Sequence, residues 1–143
     1  MLKSFLFAAA ITVVSAGTAF AATRDQLLVT PAWLAQHAAD KDVVILHVGT
    51  PAGYQAKHIP GAHLLEPNGL TVKSPEGLVT ELPPPDALRA QMQALGISDK
   101  SHVIVYSEND GIARATRIIL TMDAAGFGDR ASLLDGGLKG WEA

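Results

Sequence analysis

An α/β sandwich with a mainly parallel sheet is the fold class that the sequence predicts, and three observations carry that reading. Short apolar runs recur at Val43–Val48, Val103–Tyr106 and Ala131–Leu134, the first two largely β-branched. Segments compatible with amphipathic helices alternate with them. Between His102 and Arg117 one such run gives way to a polar, glycine-containing turn and then to a helix-compatible segment. That is a strand–loop–helix unit with its loop at the strand's carboxyl end, where ligands bind in open α/β sheets. Unpaired backbone N–H groups at such a loop suit an anion or an anionic nucleophile.

Each element follows from local chemistry. Leu27-Leu28-Val29 is a short apolar run, and Thr30-Pro31 supplies an N-cap and a proline at the first helical position. The spacing predicts a helix from Pro31 to about Ala39, with Leu34 and Ala38 on one face and Trp33 beside them. Val43–Val48 is apolar nearly throughout, as expected of a central strand covered on both faces. Pro51 can start a helical turn, Pro60-Gly61 forces a tight turn, and Ala62 to Leu65 can return as a short strand.

From Pro67 to Pro85 the prolines, glycines and Ser74 describe an irregular excursion, long enough that it should pack on the body or rim a site. Asp86 caps or opens a helix with Leu88, Met92 and Leu95 on one face, closed by Gly96. The helix after the central loop should turn Ile118, Ile119, Met122 and Ala125 inward and end at Gly126. Strand Ala131–Leu134 then stops at Asp135-Gly136-Gly137, and no internal repeat is present.

The ends and the composition bound function. Met1-Leu2-Lys3-Ser4, an apolar run from Phe5 to Val14, and Ala19-Phe20-Ala21 before Ala22 have the three parts of a secretory signal peptide. The run is too short for a membrane span of ~20 residues. Residues 1–21 therefore read as a signal peptide cleaved after Ala21, and 22–143 as one domain of a secreted or periplasmic protein, with no membrane association after signal removal. The last residues, Trp141-Glu142-Ala143, follow a strand–turn that ought to lead into a closing helix, so the natural protein is expected to continue.

A formal net charge of −3 without runs of one sign excludes nucleic acid as an expected partner. The sequence has no cysteine, hence neither disulfides nor thiol chemistry. Its five histidines are scattered without the close spacing of ligand pairs, which argues against a metal site, and nothing calls for a cofactor.

Three stretches, in this order and spacing, resemble a rhodanese-like (sulfurtransferase) domain. They are Tyr54-Gln55-Ala56-Lys57-His58-Ile59-Pro60-Gly61-Ala62, then Val103–Tyr106 with its loop, then Gly126-Phe127 through Leu133-Leu134-Asp135-Gly136-Gly137-Leu138-Lys139-Gly140-Trp141. The resemblance implies a three-layer sandwich with a five-stranded, mainly parallel sheet flanked by helices. It also implies that a cysteine should follow Tyr106, to carry a persulfide formed from thiosulfate or 3-mercaptopyruvate. Ser107 stands there instead, and an unactivated hydroxyl cannot hold a transferable sulfane sulfur.

The pattern is similar to the amino-terminal half of tandem sulfurtransferases, which lacks the cysteine and leads into Ala-x-Arg, as Ala115-Thr116-Arg117 does. The partner so implied is a second rhodanese domain, in the same polypeptide or another chain. A free-standing, inactive fold that binds a partner or a small sulfur-containing anion is the alternative. His47 and Gly49 depart from the family, many members of which carry an aspartate and an arginine there.

The loop and anion-binding candidates are Ser107, Glu108, Asn109, Asp110, Gly111, Arg114 and Arg117. Each has a plainer use. The two arginines can pair with Glu108 or Asp110, and Asn109-Asp110-Gly111 can be a simple turn. His58, Pro60 and Gly61 form a structural motif in which His58 should hold the turn by a hydrogen bond. Asp135, Gly136, Gly137 and Trp141 form a second, the glycines serving backbone positions with positive φ. A hydrolytic use of Ser107 or Asp110 has no base beside it in sequence.

Overall fold

The computed structural model describes residues 27–109 and 112–143; the signal-peptide reading, Asp110 and Gly111 lie outside them. Five strands, β1 (Leu28–Val29), β2 (Val43–Val48), β3 (His63–Leu65), β4 (His102–Ser107) and β5 (Ala131–Leu134), form one sheet in the order β1-β5-β4-β2-β3. Every pairing within it is parallel. The helices are α1 (Pro31–His37), α2 (Pro51–Ala56), α3 (Pro85–Ala94), α4 (Ile112–Ala124) and α5 (Gly137–Glu142).

The nearly continuous apolar character of β2 and β4 is explained by cover on both faces. Val44, Leu46 and Val48 of β2, with Val103 and Val105 of β4, meet Leu88 and Met92 of α3 and Ala115, Ile118 and Met122 of α4. The alternate residues Ile45, Ile104 and Tyr106 face the other way, onto Leu34, Ile59 and Ala62, with Trp33, Tyr54, Leu138 and Trp141 packed at the margin. Each fully buried aliphatic side chain contributes about 1.5–3 kcal/mol. The exposed Lys57–Glu142 ion pair between α2 and α5, at 2.5 Å, is of a kind that contributes at most about 1 kcal/mol, so packing dominates.

Local signals place several boundaries. The Thr30 hydroxyl accepts the Trp33 amide at 3.1 Å, and α1 ends at His37, two residues short of the expected Ala39. Asp86 does not cap α3: Pro84 holds the N-cap position, and Asp86 lies in the first turn, where its carboxylate favours the positive end of the helix. The Leu27–Val29 run becomes β1, an edge strand paired with β5. The excursion after Pro67 contains one antiparallel bridge, Val72 to Glu81, and seats Leu70 in the core.

Candidate functional site

The parallel register carries β2 and β4 to one edge of the sheet with His47 beside Tyr106 and Val48 beside Ser107. Neighbours in register project to the same face, and successive residues alternate. His47 and Tyr106 therefore lie on the α1/α2 face, whereas Ser107 lies on the α4 face with Val48. The Glu108 amide donates to the Val48 carbonyl at 2.9 Å and extends the β2–β4 connection by one residue. A cavity of about 230 Å³ opens beside this edge, between the β4 loop (Ser107, Glu108, Asn109) and the β5–α5 turn (Asp135, Gly136, Gly137).

On the other side of the strand, Glu108 turns towards α2. Its Oε2 accepts the Thr50 amide at 2.7 Å and the Thr50 hydroxyl at 3.1 Å. The same hydroxyl receives the Gly53 amide at 3.0 Å and so caps α2. The Thr50 amide holds the Glu108 carboxyl below the usual carboxylate range; partial burial opposes this, while the Thr50 hydroxyl and the positive potentials of His47 and Arg114 reinforce it.

Two glycines make the approach possible. A Cβ on Gly49 would stand 2.5 Å from His47 Nε2 and 2.6 Å from Glu108 Oε2, and a Cβ on Gly53 would overlap the Glu108 carboxylate outright.

Behind Glu108 lies a buried polar chain. The Ile59 amide donates to the Tyr106 hydroxyl at 2.9 Å, and that hydroxyl lies 2.9 Å from His47 Nδ1. The tautomer that satisfies all three groups has Tyr106 donating to Nδ1 and the ring proton on Nε2. Burial holds the His47 pKa below its ordinary value, with Glu108 opposing and His58 assisting. Burial likewise pushes the Tyr106 phenol up to about 12, against the stabilising Ile59 amide.

The remaining sequence candidates divide between the site and the scaffold. Asn109 lines the cavity with Ser107 and Glu108. Arg114 is exposed near Glu108. Arg117 is turned elsewhere: its guanidinium donates to Thr121 Oγ1 at 2.7 Å and to the Thr80 carbonyl, pinning the excursion to α4.

His58 donates through Nδ1 to the Tyr54 carbonyl at 2.7 Å and stacks on the Tyr54 ring at 3.9 Å. The Tyr54 hydroxyl in turn closes the Pro60-Gly61 turn on the Ala62 carbonyl at 2.6 Å. Gly136 and Gly137 both hold positive φ, 70° and 55°, and a Cβ on Gly136 would press to 3.0 Å from Gly140 Cα. Trp141 packs against the core cluster that contains Leu34 and Tyr106. Among the described residues no three His, Asp or Glu side chains converge as metal ligands do.

Sequence reasoning missed the Glu108–Thr50 contact and the partnership of His47 with Tyr106. Gly49 and Gly53 on either side of Thr50 were the available signal, because paired glycines around a capping threonine mark a place where another group comes close.

The rhodanese-like domain model matches residues 30–143. A putative thiosulfate sulfurtransferase of Synechococcus elongatus is 31% identical over 116 residues, covering 80% of this chain and 35% of that protein. The 3-mercaptopyruvate sulfurtransferase of Escherichia coli K12 is 30% identical over 120 residues, covering 77% of this chain and 42% of that protein. The crystal structure of the 3-mercaptopyruvate sulfotransferase SseA from Escherichia coli superposes with a TM-score of 0.67 at 31% identity, over 80% of this chain and 47% of that one. The chain thus spans 35% and 42% of the length of these two curated relatives. With the five-stranded parallel sheet, the helices on both faces and the loop at the end of β4, the chain belongs to the rhodanese-like domain family of sulfurtransferases.

Proposed function

We propose that this chain is a non-catalytic rhodanese-like domain, the amino-terminal half of an exported tandem sulfurtransferase whose second half bears the cysteine. In the intact protein the reaction would be transfer of sulfane sulfur from thiosulfate or 3-mercaptopyruvate. One observation carries the reading: the position that opens the β4 loop is Ser107, in a sequence without cysteine. Persulfide formation needs a thiolate sulfur to attack the donor's outer sulfur and keep it. A hydroxyl has no such sulfur to extend.

His47 does not serve Ser107 as a base. His47, the imidazole adjacent in register, belongs to the opposite face of the sheet and is engaged with Tyr106. The names of the relatives, thiosulfate and 3-mercaptopyruvate sulfurtransferases, and their greater length support a role beside a second domain. In that role the cavity edge at Ser107, Glu108 and Asn109 forms a wall of the joint cleft.

Reading the gene downstream of Ala143 tests this. A second rhodanese-like domain, with a cysteine after its own loop-entry strand, is the expected result. An in-frame stop at that point would refute the tandem assignment.

A further inference from the structure

His47 Nε2 is a fully buried ring nitrogen with no hydrogen-bond partner. With Nδ1 accepting from Tyr106, Nε2 carries the proton, and a buried N–H without an acceptor is a feature that folded proteins rarely tolerate. His47 Nε2 and Glu108 Oε2 face the same spot above the bare Cα of Gly49, at 2.5 Å and 2.6 Å from where a Cβ would sit. Two donors bind Oε2, the Thr50 amide at 2.7 Å and the Thr50 hydroxyl at 3.1 Å, while the Nε2–H of His47 borders the same space beyond hydrogen-bonding reach of that oxygen. Arg114 adds positive potential at the same carboxylate.

We propose that these donors form a small-oxyanion site, for a ligand of the sulfate or thiosulfate class, which the chain's own Glu108 carboxylate occupies. Glu108 acts as an internal anion. Its Oε2 presents to Thr50 the charge and acceptor geometry that one oxygen of a free oxyanion would present, and a second oxygen of such an anion would be the acceptor that His47 Nε2–H lacks. The glycines at 49 and 53 make the room, since a side chain at either position would fill the space that the carboxylate uses. The site lies on the α2 side of the sheet edge, away from Ser107. An anion could enter only by displacing Glu108, so the carboxylate autoinhibits the site. This inference does not depend on the sulfur-transfer reading.

The test is titration of the full chain with sodium sulfate, and separately with thiosulfate, at constant ionic strength. Binding is read from the Thr50 and Gly53 amides and the His47 ring by ¹⁵N-correlated NMR. In Glu108→Ala, saturable shifts at Thr50 and His47 are expected, with an affinity at least about tenfold above that of the unaltered chain. Glu108→Gln keeps an acceptor oxygen in place, and intermediate binding is expected. Adding His47→Phe to Glu108→Ala should abolish saturation.

The proposal fails if folded Glu108→Ala shows no saturable shift at Thr50, or if the unaltered chain binds equally well. It fails too if the affinity survives His47→Phe, because the imidazole would then contribute nothing. Should Glu108→Ala lose its dispersed spectrum, the unaltered chain decides. Protonating Glu108 by acidification should raise sulfate affinity at Thr50 at least about tenfold, and a flat response would contradict the proposal.

Discussion

The Tyr106 hydroxyl stands 2.9 Å from His47 Nδ1 and receives the Ile59 amide at the same distance, so one buried oxygen joins β4, β2 and the turn before β3. Tyr106→Phe removes that oxygen and leaves the Ile59 N–H and His47 Nδ1 without partners in a dry interior. The expected loss is about 1–3 kcal/mol, measured as a lower urea midpoint with an unchanged slope. An unaltered midpoint would mean that the chain of hydrogen bonds contributes nothing to folding.

Gly53 offers a test whose sign reverses. In the native background, Gly53→Ala drives a methyl into the Glu108 carboxylate and should destabilise by about 1–3 kcal/mol. Gly53 lies within α2 and its φ is not positive, so with Glu108→Ala already in place the same change should stabilise by about 0.5–1 kcal/mol, the ordinary advantage of alanine over glycine in a helix. A double-mutant cycle by chemical denaturation measures the difference, and simple additivity would show that the two residues do not meet.

Acid should weaken the fold in two stages. His47 and His102 both have pKa values held below 6.5 by burial, so between their folded values and 6.5 the unfolded chain binds more protons than the native one. Stability is then complete above 6.5 and falls as pH drops through that window. Glu108 is lowered from 4.5, and its contribution is likewise lost as pH falls below 4.5 towards its folded value. Denaturation curves from pH 7 to 4 should decline monotonically. A maximum near pH 5.5 would reverse the assigned sign.

Much of the architecture is visible in the primary structure because both sheet faces are covered. The nearly continuous apolar runs of β2, β4 and β5 report burial directly. Leu28-Val29 is too short to carry a period, and its pairing with β5 is a tertiary event. At α3, a run of prolines shifts the helix start ahead of Asp86, a choice that an acidic residue two positions on does not reveal.

The candidate site is legible only in part. Ser107 announces itself by standing where a cysteine is expected. The Glu108–Thr50 contact spans 58 residues of chain, and no local pattern encodes it. Arg117 sits within the motif that the family comparison highlights, yet its guanidinium serves Thr80 and Thr121.

That use of Arg117 has a measurable consequence. Arg117→Ala frees the excursion around Thr80 from α4, and the exposed residues 75–82 should be nicked faster in limited proteolysis. Global stability should change by less than about 1 kcal/mol, because the contact is at the surface. Unchanged cleavage kinetics would show that Arg117 does not hold the excursion.

The central claim is that a rhodanese-like domain with Ser107 at the loop entry carries no sulfur, and cyanide-dependent formation of thiocyanate from thiosulfate tests it most directly. The purified chain should give no thiocyanate above a protein-free control. Turnover clearly above that control, retained through repurification and abolished by Ser107→Ala, would contradict it.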